Sequence, residues 1–121
     1  MAPAGAGTYV ANSADTGKKL LIPALGGAGA NTLAITLPGL LAGLTYKFIA
    51  QGTLASAATI AAPVGNIICG QVQNQAVYTA KANTANVIFS ATAVIGDQVD
   101  LYCDGVKWHI LGFSSAAAGL A

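Results

Sequence analysis

The fold is indicated most clearly by one stretch of sequence, Asp97-Gln-Val-Asp-Leu-Tyr-Cys-Asp-Gly-Val-Lys-Trp-His-Ile-Leu-Gly112. Apolar and polar residues alternate on both sides of Asp104-Gly105, which is typical of two β-strands joined by a tight turn. An Asp-Gly pair favours a two-residue type I′ turn, because both central residues of that turn need a positive φ. The stretch therefore predicts an antiparallel hairpin centred on Asp104 and Gly105.

The register of the predicted hairpin assigns each side chain to one face. A turn centred on Asp104-Gly105 places Leu101 opposite Trp108 on an apolar face, and Asp100 opposite His109 on the other. We interpret Trp108 as a core anchor rather than a ligand platform. Cross-strand polar pairs contribute only some tenths of a kcal/mol, so Asp100 and His109 are expected to specify register. The residues interpreted as structural hairpin residues are Asp100, Leu101, Asp104, Gly105, Trp108 and His109.

Other segments are predicted to be short strands. Residues 31–37 and 44–50 alternate with period two, and we expect them to pair antiparallel because a short link cannot make a parallel crossover. Weaker strand candidates are 18–22, 58–61, 66–70, 75–79 and 86–91. Many short strands at spacings of about ten residues predict an all-β fold, an antiparallel β-sandwich or jelly-roll-like barrel.

The length of 121 residues predicts one domain. We expect a flexible N-terminal arm at 1–8, a single β domain at 9–113 and a C-terminal tail at 114–121, both arms being extended. The long uncharged stretches are interrupted by Pro and Gly, so a membrane-spanning helix is not expected. The first residues lack the basic region of a secretory signal peptide.

Charge is scarce in this chain. Charged residues make up 7% of it, as five Lys and four Asp, with a formal net charge of +1. An average soluble domain has about 25% charged residues. Such a balance gives no electrostatic reason to bind nucleic acid or anionic lipid. It instead suggests that much of the surface is covered by copies of the chain or by a partner.

No catalytic, cofactor-binding or metal-binding residues are predicted. An Asp100–His109 pair would suit a catalytic triad with Cys103 as nucleophile, but strand alternation places Cys103 on the buried face. Asp97, Asp100 and Asp104 are explained by turn and strand-end positions rather than by calcium. We interpret both Cys69 and Cys103 as buried thiols, and whether they pair stays open.

Two motifs together resemble a small β module of virion structural proteins. The first is Ile35-Thr-Leu-Pro38 followed by Gly43-Leu-Thr-Tyr-Lys-Phe48. The second is the Gly96–Gly112 pattern, which contains Asp104-Gly105, Trp108 and Gly112. Ile67-Ile-Cys-Gly70 lies between the two motifs. The resemblance covers residues 31 to 113 and is to head decoration or cement proteins of bacteriophages and related viruses, and to parts of tail fibres.

The resemblance implies a β-sandwich, commonly a trimer, with no enzymatic residues to transfer. It leads us to expect a phage capsid decoration or cement protein located on the virion. Its expected partners are itself, as a homotrimer, and the major capsid protein of the shell, with no nucleic acid and no membrane. A tail-fibre or knob module adhering to the host surface is the alternative.

Overall fold

The computed structural model describes residues 7–22, 33–52, 57–65 and 67–121. Six of the eight residues of the expected N-terminal arm lie outside that range. The described part of the chain contains ten strands and one short 3-10 turn at Ser13–Asp15. The strands are β1 (Gly7–Val10), β2 (Lys19–Ile22), β3 (Leu33–Thr36), β4 (Thr45–Ala50), β5 (Ala58–Ala61), β6 (Ile68–Asn74), β7 (Val77–Thr84), β8 (Asn86–Phe89), β9 (Gln98–Cys103) and β10 (Trp108–Ser114).

The strands form two sheets that pack face to face around one apolar core. One sheet has four strands in the order β1-β3-β5-β8, and the other has six in the order β2-β4-β9-β10-β6-β7. The prediction of an all-β sandwich is therefore confirmed. Alternation along each strand produces the core: in β4, for example, Tyr46, Phe48 and Ala50 are buried while the residues between them are partly exposed. Trp108, Phe48 and Phe89 are the largest fully buried side chains.

The expectation that the sandwich is antiparallel is only half right. Among the eight strand pairings found in the described residues, four are parallel: β1 with β3, β3 with β5, β2 with β4, and β6 with β10. Parallel neighbours need a connection that crosses out of the sheet. From β1 to β6 the chain alternates between the two sheets, so β1, β3 and β5 run in the same direction in one sheet, and β2 and β4 do so in the other.

The predicted pairing of 31–37 with 44–50 is wrong for the same reason. β3 lies in the four-stranded sheet and β4 in the six-stranded sheet. The short link containing Pro38 and Gly39 carries the chain across the core instead of folding β4 back beside β3. Both strands keep an apolar face because both bury alternate residues against the same core from opposite sides.

The C-terminal hairpin forms, but its register differs by two residues from the prediction. Cys103 pairs with Trp108 and Leu101 with Ile110, so Leu101 does not lie opposite Trp108. The central turn residues are Gly105, with φ of +94°, and Val106. Glycine at the first central position is the preference of a type II′ turn. A shift of two residues keeps every side chain on its face, so Leu101, Cys103 and Trp108 are buried.

The C-terminal segment differs from the expected extended tail. It folds back, and the side chain of Leu120 is buried while the backbone of Ala121 exchanges two hydrogen bonds of 2.9 Å with Ile88 in β8. Asn74 holds the same segment, since its amide donates to the Leu120 carbonyl at 2.8 Å and its Oδ1 accepts from the Leu120 N–H at 2.9 Å. The segment stays in place because the Leu120 side chain is buried and the backbone groups of Leu120 and Ala121 are hydrogen-bonded inside the fold.

Candidate functional site

The six-stranded sheet has one face turned away from the core, which we call the outer face. Cross-strand registers arrange its side chains in rows, and the row nearest the hairpin turn contains Thr45, Tyr102, His109 and Cys69. The next row contains Lys47, Asp100, Leu111 and Gln71, and the third contains Ile49, Gln98, Phe113, Gln73 and Tyr78. Most polar side chains of the described six-stranded sheet that are not buried in the core therefore lie on the outer face.

The first row holds a chain of three polar groups, which we call the Cys69–His109–Asp104 cluster. Nδ1 of His109 lies 3.5 Å from the sulfur of Cys69, and Nε2 lies 2.7 Å from Oδ2 of Asp104. Both separations are within hydrogen-bond range, given the larger radius of sulfur. The imidazole thus has a thiol on one side and a carboxylate on the other.

Local structure places each member of the cluster. Parallel pairing of β6 with β10 puts Cys69 directly beside His109, although 40 residues separate them. Asp104 reaches back from the hairpin turn. On the other side of Cys69 the β6–β7 pairing is irregular, since Ile68 pairs with Thr84 but Gly70 pairs with Lys81. Two residues of β7 therefore oppose Cys69, which is a β-bulge, and bulges commonly re-aim side chains beside functional sites.

Hydrogen bonds determine the protonation state of Asp104, one member of the cluster. The hydrogen bond from His109 holds the pKa of the Asp104 carboxyl well below its ordinary value, and the backbone N–H groups of Lys107 and Val106 lower it further. Asp104 is therefore ionised at neutral pH and acts only as an acceptor. A neutral His109 must then carry its proton on Nε2, which leaves the lone pair of Nδ1 facing the Cys69 thiol.

This geometry does not suit a metal ion. The thiol and the carboxylate lie on opposite sides of the imidazole ring, so the three groups do not converge on one point. No group of three or more His, Cys, Asp or Glu residues in the described ranges is arranged to hold a metal ion. Asp97, which the sequence assigns to a strand end, directly precedes β9: it is buried and accepts hydrogen bonds from the Ser114 hydroxyl and the Ser115 and Val94 N–H groups.

The other two rows of the outer face expose large apolar groups. Leu111 is 46% exposed, Phe113 is 38% exposed and Tyr78 is 66% exposed. Leu111 and Phe113 are two residues apart on β10, and Gln73 lies between Phe113 and Tyr78 in the third row. These three residues form what we call the apolar rows. Tyr102 in the first row adds a fourth exposed large side chain.

A pocket of about 300 Å³ opens near the β2 end of the same sheet. Lys18, Lys19 and Lys47 line it together with Asp100. Two of these lysines have carboxylate partners, because the Lys47 ammonium lies 3.4 Å from Asp100 and the Lys18 ammonium lies 3.4 Å from Asp15. Of its three lysines, only Lys19 has no carboxylate partner among the described residues, so the pocket lacks the several unpaired, convergent cations of an anion site.

The structure brings together a different set of residues from the predicted one. Asp100 does not pair with His109, since it lies opposite Leu111 and Lys47. Cys103 is fully buried on the core side, while Cys69 is only partly buried, so the interpretation of Cys69 as a buried thiol is wrong. The two cysteines are free and lie on opposite faces of the sheet. Cys69 was missed as a partner of His109 because only the β6–β10 pairing, which local patterns do not reveal, brings them together.

Comparison with known proteins adds no relative: no family model, no curated protein and no solved structure matches this chain. No helix in the described ranges is long and apolar enough to cross a bilayer. The fold and the site together define this protein as a two-sheet all-β sandwich that carries a polar cluster and the apolar rows on one outer face.

Proposed function

We propose that this protein is a structural component of a virion, a phage capsid decoration or cement protein that binds the assembled shell as a homotrimer. The observation that carries the proposal is the set of apolar rows, Leu111, Phe113 and Tyr78, exposed on one sheet face of a chain in which only 7% of residues are charged. A surface of that kind is better suited to an assembly than to a free monomer.

Adjacency distinguishes these side chains from ordinary exposed apolar residues. Single exposed apolar residues are normal on soluble proteins and need no partner. Leu111 and Phe113, by contrast, project from the same face of β10, and their neighbours on β6, Gln71 and Gln73, carry no charge. Asp100, which lies beside Leu111 on β9, is paired with Lys47 at 3.4 Å. Covering this area on association removes apolar surface from water at a gain of about 25 cal/mol per Å².

A closed homo-oligomer is the simplest way to cover the apolar rows of every copy. A three-fold arrangement also matches the symmetry of the local three-fold positions on a capsid, and the motif resemblance to decoration proteins points in the same direction. Stabilisation would follow from mass action, since copies that bind the assembled shell but not its free subunits shift the equilibrium toward the intact shell.

Co-sedimentation with assembled phage shells tests this function. The wild-type chain is expected to pellet with shells and to raise the temperature at which they release their genome. The double variant Leu111→Glu with Phe113→Glu is expected to lose binding to the shell. The homotrimer would not form, because each copy would bury two unpaired carboxylates at the interface between copies. Val64→Glu is the matched control, since Val64 is 72% exposed but lies outside the outer face. Failure of wild type to bind any tailed-phage shell contradicts the proposal.

A tail-fibre or knob module that adheres to the host surface is the second candidate. Three exposed aromatic side chains favour it, because Tyr78, Tyr102 and Phe113 all lie on the outer face, and aromatic rings commonly stack on sugars. Saturable binding to host-cell glycans, lost in Tyr78→Ala and Tyr102→Ala and retained in Val64→Ala, would support this candidate over the decoration role.

A further inference from the structure

We propose that the Cys69–His109–Asp104 cluster is a thiol-modification site, at which the sulfur of Cys69 exchanges with a small disulfide. The inference starts from the order of the three groups, because a nucleophile, a base and a group that orients the base stand in line. The reaction requires neither a shell nor a second copy of the chain.

Each group has a definite part in the exchange. Cys69 supplies the attacking sulfur, and His109 supplies the base, since the lone pair of Nδ1 faces the thiol at 3.5 Å. Asp104 is a positioning residue: its Oδ2 lies 2.7 Å from Nε2 of His109 and accepts the Nε2 proton, which selects the tautomer that leaves Nδ1 free to accept. The thiolate is the reactive form of cysteine, so a base at this distance promotes the attack.

Access to the sulfur follows from its place in the fold. Cys69 is partly exposed on the outer face, and the β-bulge opposite it is formed by Ala82 and Asn83, the latter with φ of +62°. The side-chain oxygen of Asn83 accepts a hydrogen bond of 2.8 Å from the Lys107 ammonium, which fixes the position of that side chain. Cys103 has no such access, because it is fully buried on the opposite face.

The chemistry balances without any further reagent. The thiol proton passes from Cys69 to Nδ1 of His109 as the sulfur attacks one sulfur of the disulfide. The sulfur–sulfur bond of the reagent breaks and its second sulfur leaves as a thiolate, while the proton on His109 passes to that thiolate or, where the reagent thiol is acidic, to water. Cys69 ends as a mixed disulfide, which is its oxidised form, and one equivalent of reagent thiol is released, which is the reduced product.

The experiment measures the reaction of the folded protein with an aromatic disulfide that releases a coloured thiolate, at neutral pH, with the adduct located by peptide mass spectrometry. We expect one fast equivalent per chain, located on Cys69, with Cys103 unreacted until the protein is unfolded. His109→Gln should slow that reaction at least about tenfold, as expected for loss of a positioned base. No adduct on Cys69, or a rate unchanged in His109→Gln, overturns the proposal.

A second thiol provides the control for exposure. Val64→Cys in a Cys69→Ser background places a thiol at a position that is 72% exposed in the parent, which is more than the exposure of Cys69. If exposure alone determined the rate, this control would react faster. We expect it to react about tenfold more slowly, and equal rates would show that Cys69 is merely an accessible thiol.

The role of Asp104 is tested by a double-mutant cycle. Asp104→Asn keeps an oxygen for the turn hydrogen bonds but removes the charge beside His109, so it should slow the exchange in the wild-type background. In the His109→Gln background it should have no further effect, because the group on which it acts is gone. An equal slowing in both backgrounds would mean that Asp104 acts on Cys69 by some other route and would remove it from the site.

Discussion

Oδ2 of Asp104 lies 2.7 Å from Nε2 of His109, while Oδ1 of the same carboxylate accepts hydrogen bonds of 2.7 Å from the N–H groups of Val106 and Lys107. One side chain therefore closes the hairpin turn and fixes the imidazole at the same time. Because Oδ1 binds the turn and Oδ2 binds the imidazole, the turn and the Cys69–His109–Asp104 cluster are coupled. A change in the charge of Asp104 therefore affects both.

The first prediction follows from that coupling and concerns acid. The pKa of Asp104 in the folded protein is lowered from an ordinary value of 3.8, with the hydrogen bond from His109 as the largest cause. A lowered folded-state pKa stabilises the fold at pH above about 4, and this stabilisation is lost as the pH falls toward the folded-state value. Wild type should thus lose more stability than Asp104→Asn between pH 5 and pH 2, as measured by urea unfolding. Equal losses would contradict the contribution of this carboxylate.

Gly70 provides a prediction about the strand that carries Cys69. It has φ of +135°, and a Cβ at this position would lie 2.1 Å from the carbonyl oxygen of Ile110. Because that oxygen belongs to the neighbouring strand, Gly70→Ala must separate β6 from β10, and we expect a loss of about 3 kcal/mol. Gly96→Ala is the control, since Gly96 has φ of +91° but open space around it. It should cost about 1 kcal/mol, and similar losses for both variants would rule out the close approach.

The C-terminal segment is expected to stabilise the fold rather than extend from it. Leu120 is only 3% exposed, so Leu120→Ala should lower the free energy of unfolding by about 2–5 kcal/mol. Leu41→Ala makes the same chemical change at a residue that is 57% exposed, and it should cost less than about 0.5 kcal/mol. Chemical unfolding of both variants measures these two changes in the free energy of unfolding. A mobile tail would give two equally small effects.

The sequence was informative wherever alternation alone defines a strand. The bounds of β5 match the predicted 58–61, and the buried face of β9 and β10 is the predicted one. Turn chemistry explains the error in register: Asp-Gly is the usual centre of a type I′ turn, but the Asp104 side chain takes the N–H groups of Val106 and Lys107 and moves the centre to Gly105-Val106.

Pairings between strands that are far apart in the chain could not be predicted from local sequence patterns. β6 and β10 are far apart in the chain, and no feature of either strand specifies that Cys69 lies beside His109. The same holds for the placement of β3 and β4 in different sheets. Alternation reveals which face of a strand is buried, but it does not reveal the sheet to which the strand belongs.

The central claim, that the apolar rows are covered by copies of this chain, is tested most directly by the solution mass of the purified protein, measured by light scattering after size exclusion. We predict a mass of three chains of 11.9 kDa for wild type and for Val64→Glu. The variant with Leu111→Glu and Phe113→Glu should have the mass of one chain. A wild-type protein that stays a well-behaved monomer at high concentration would contradict the account.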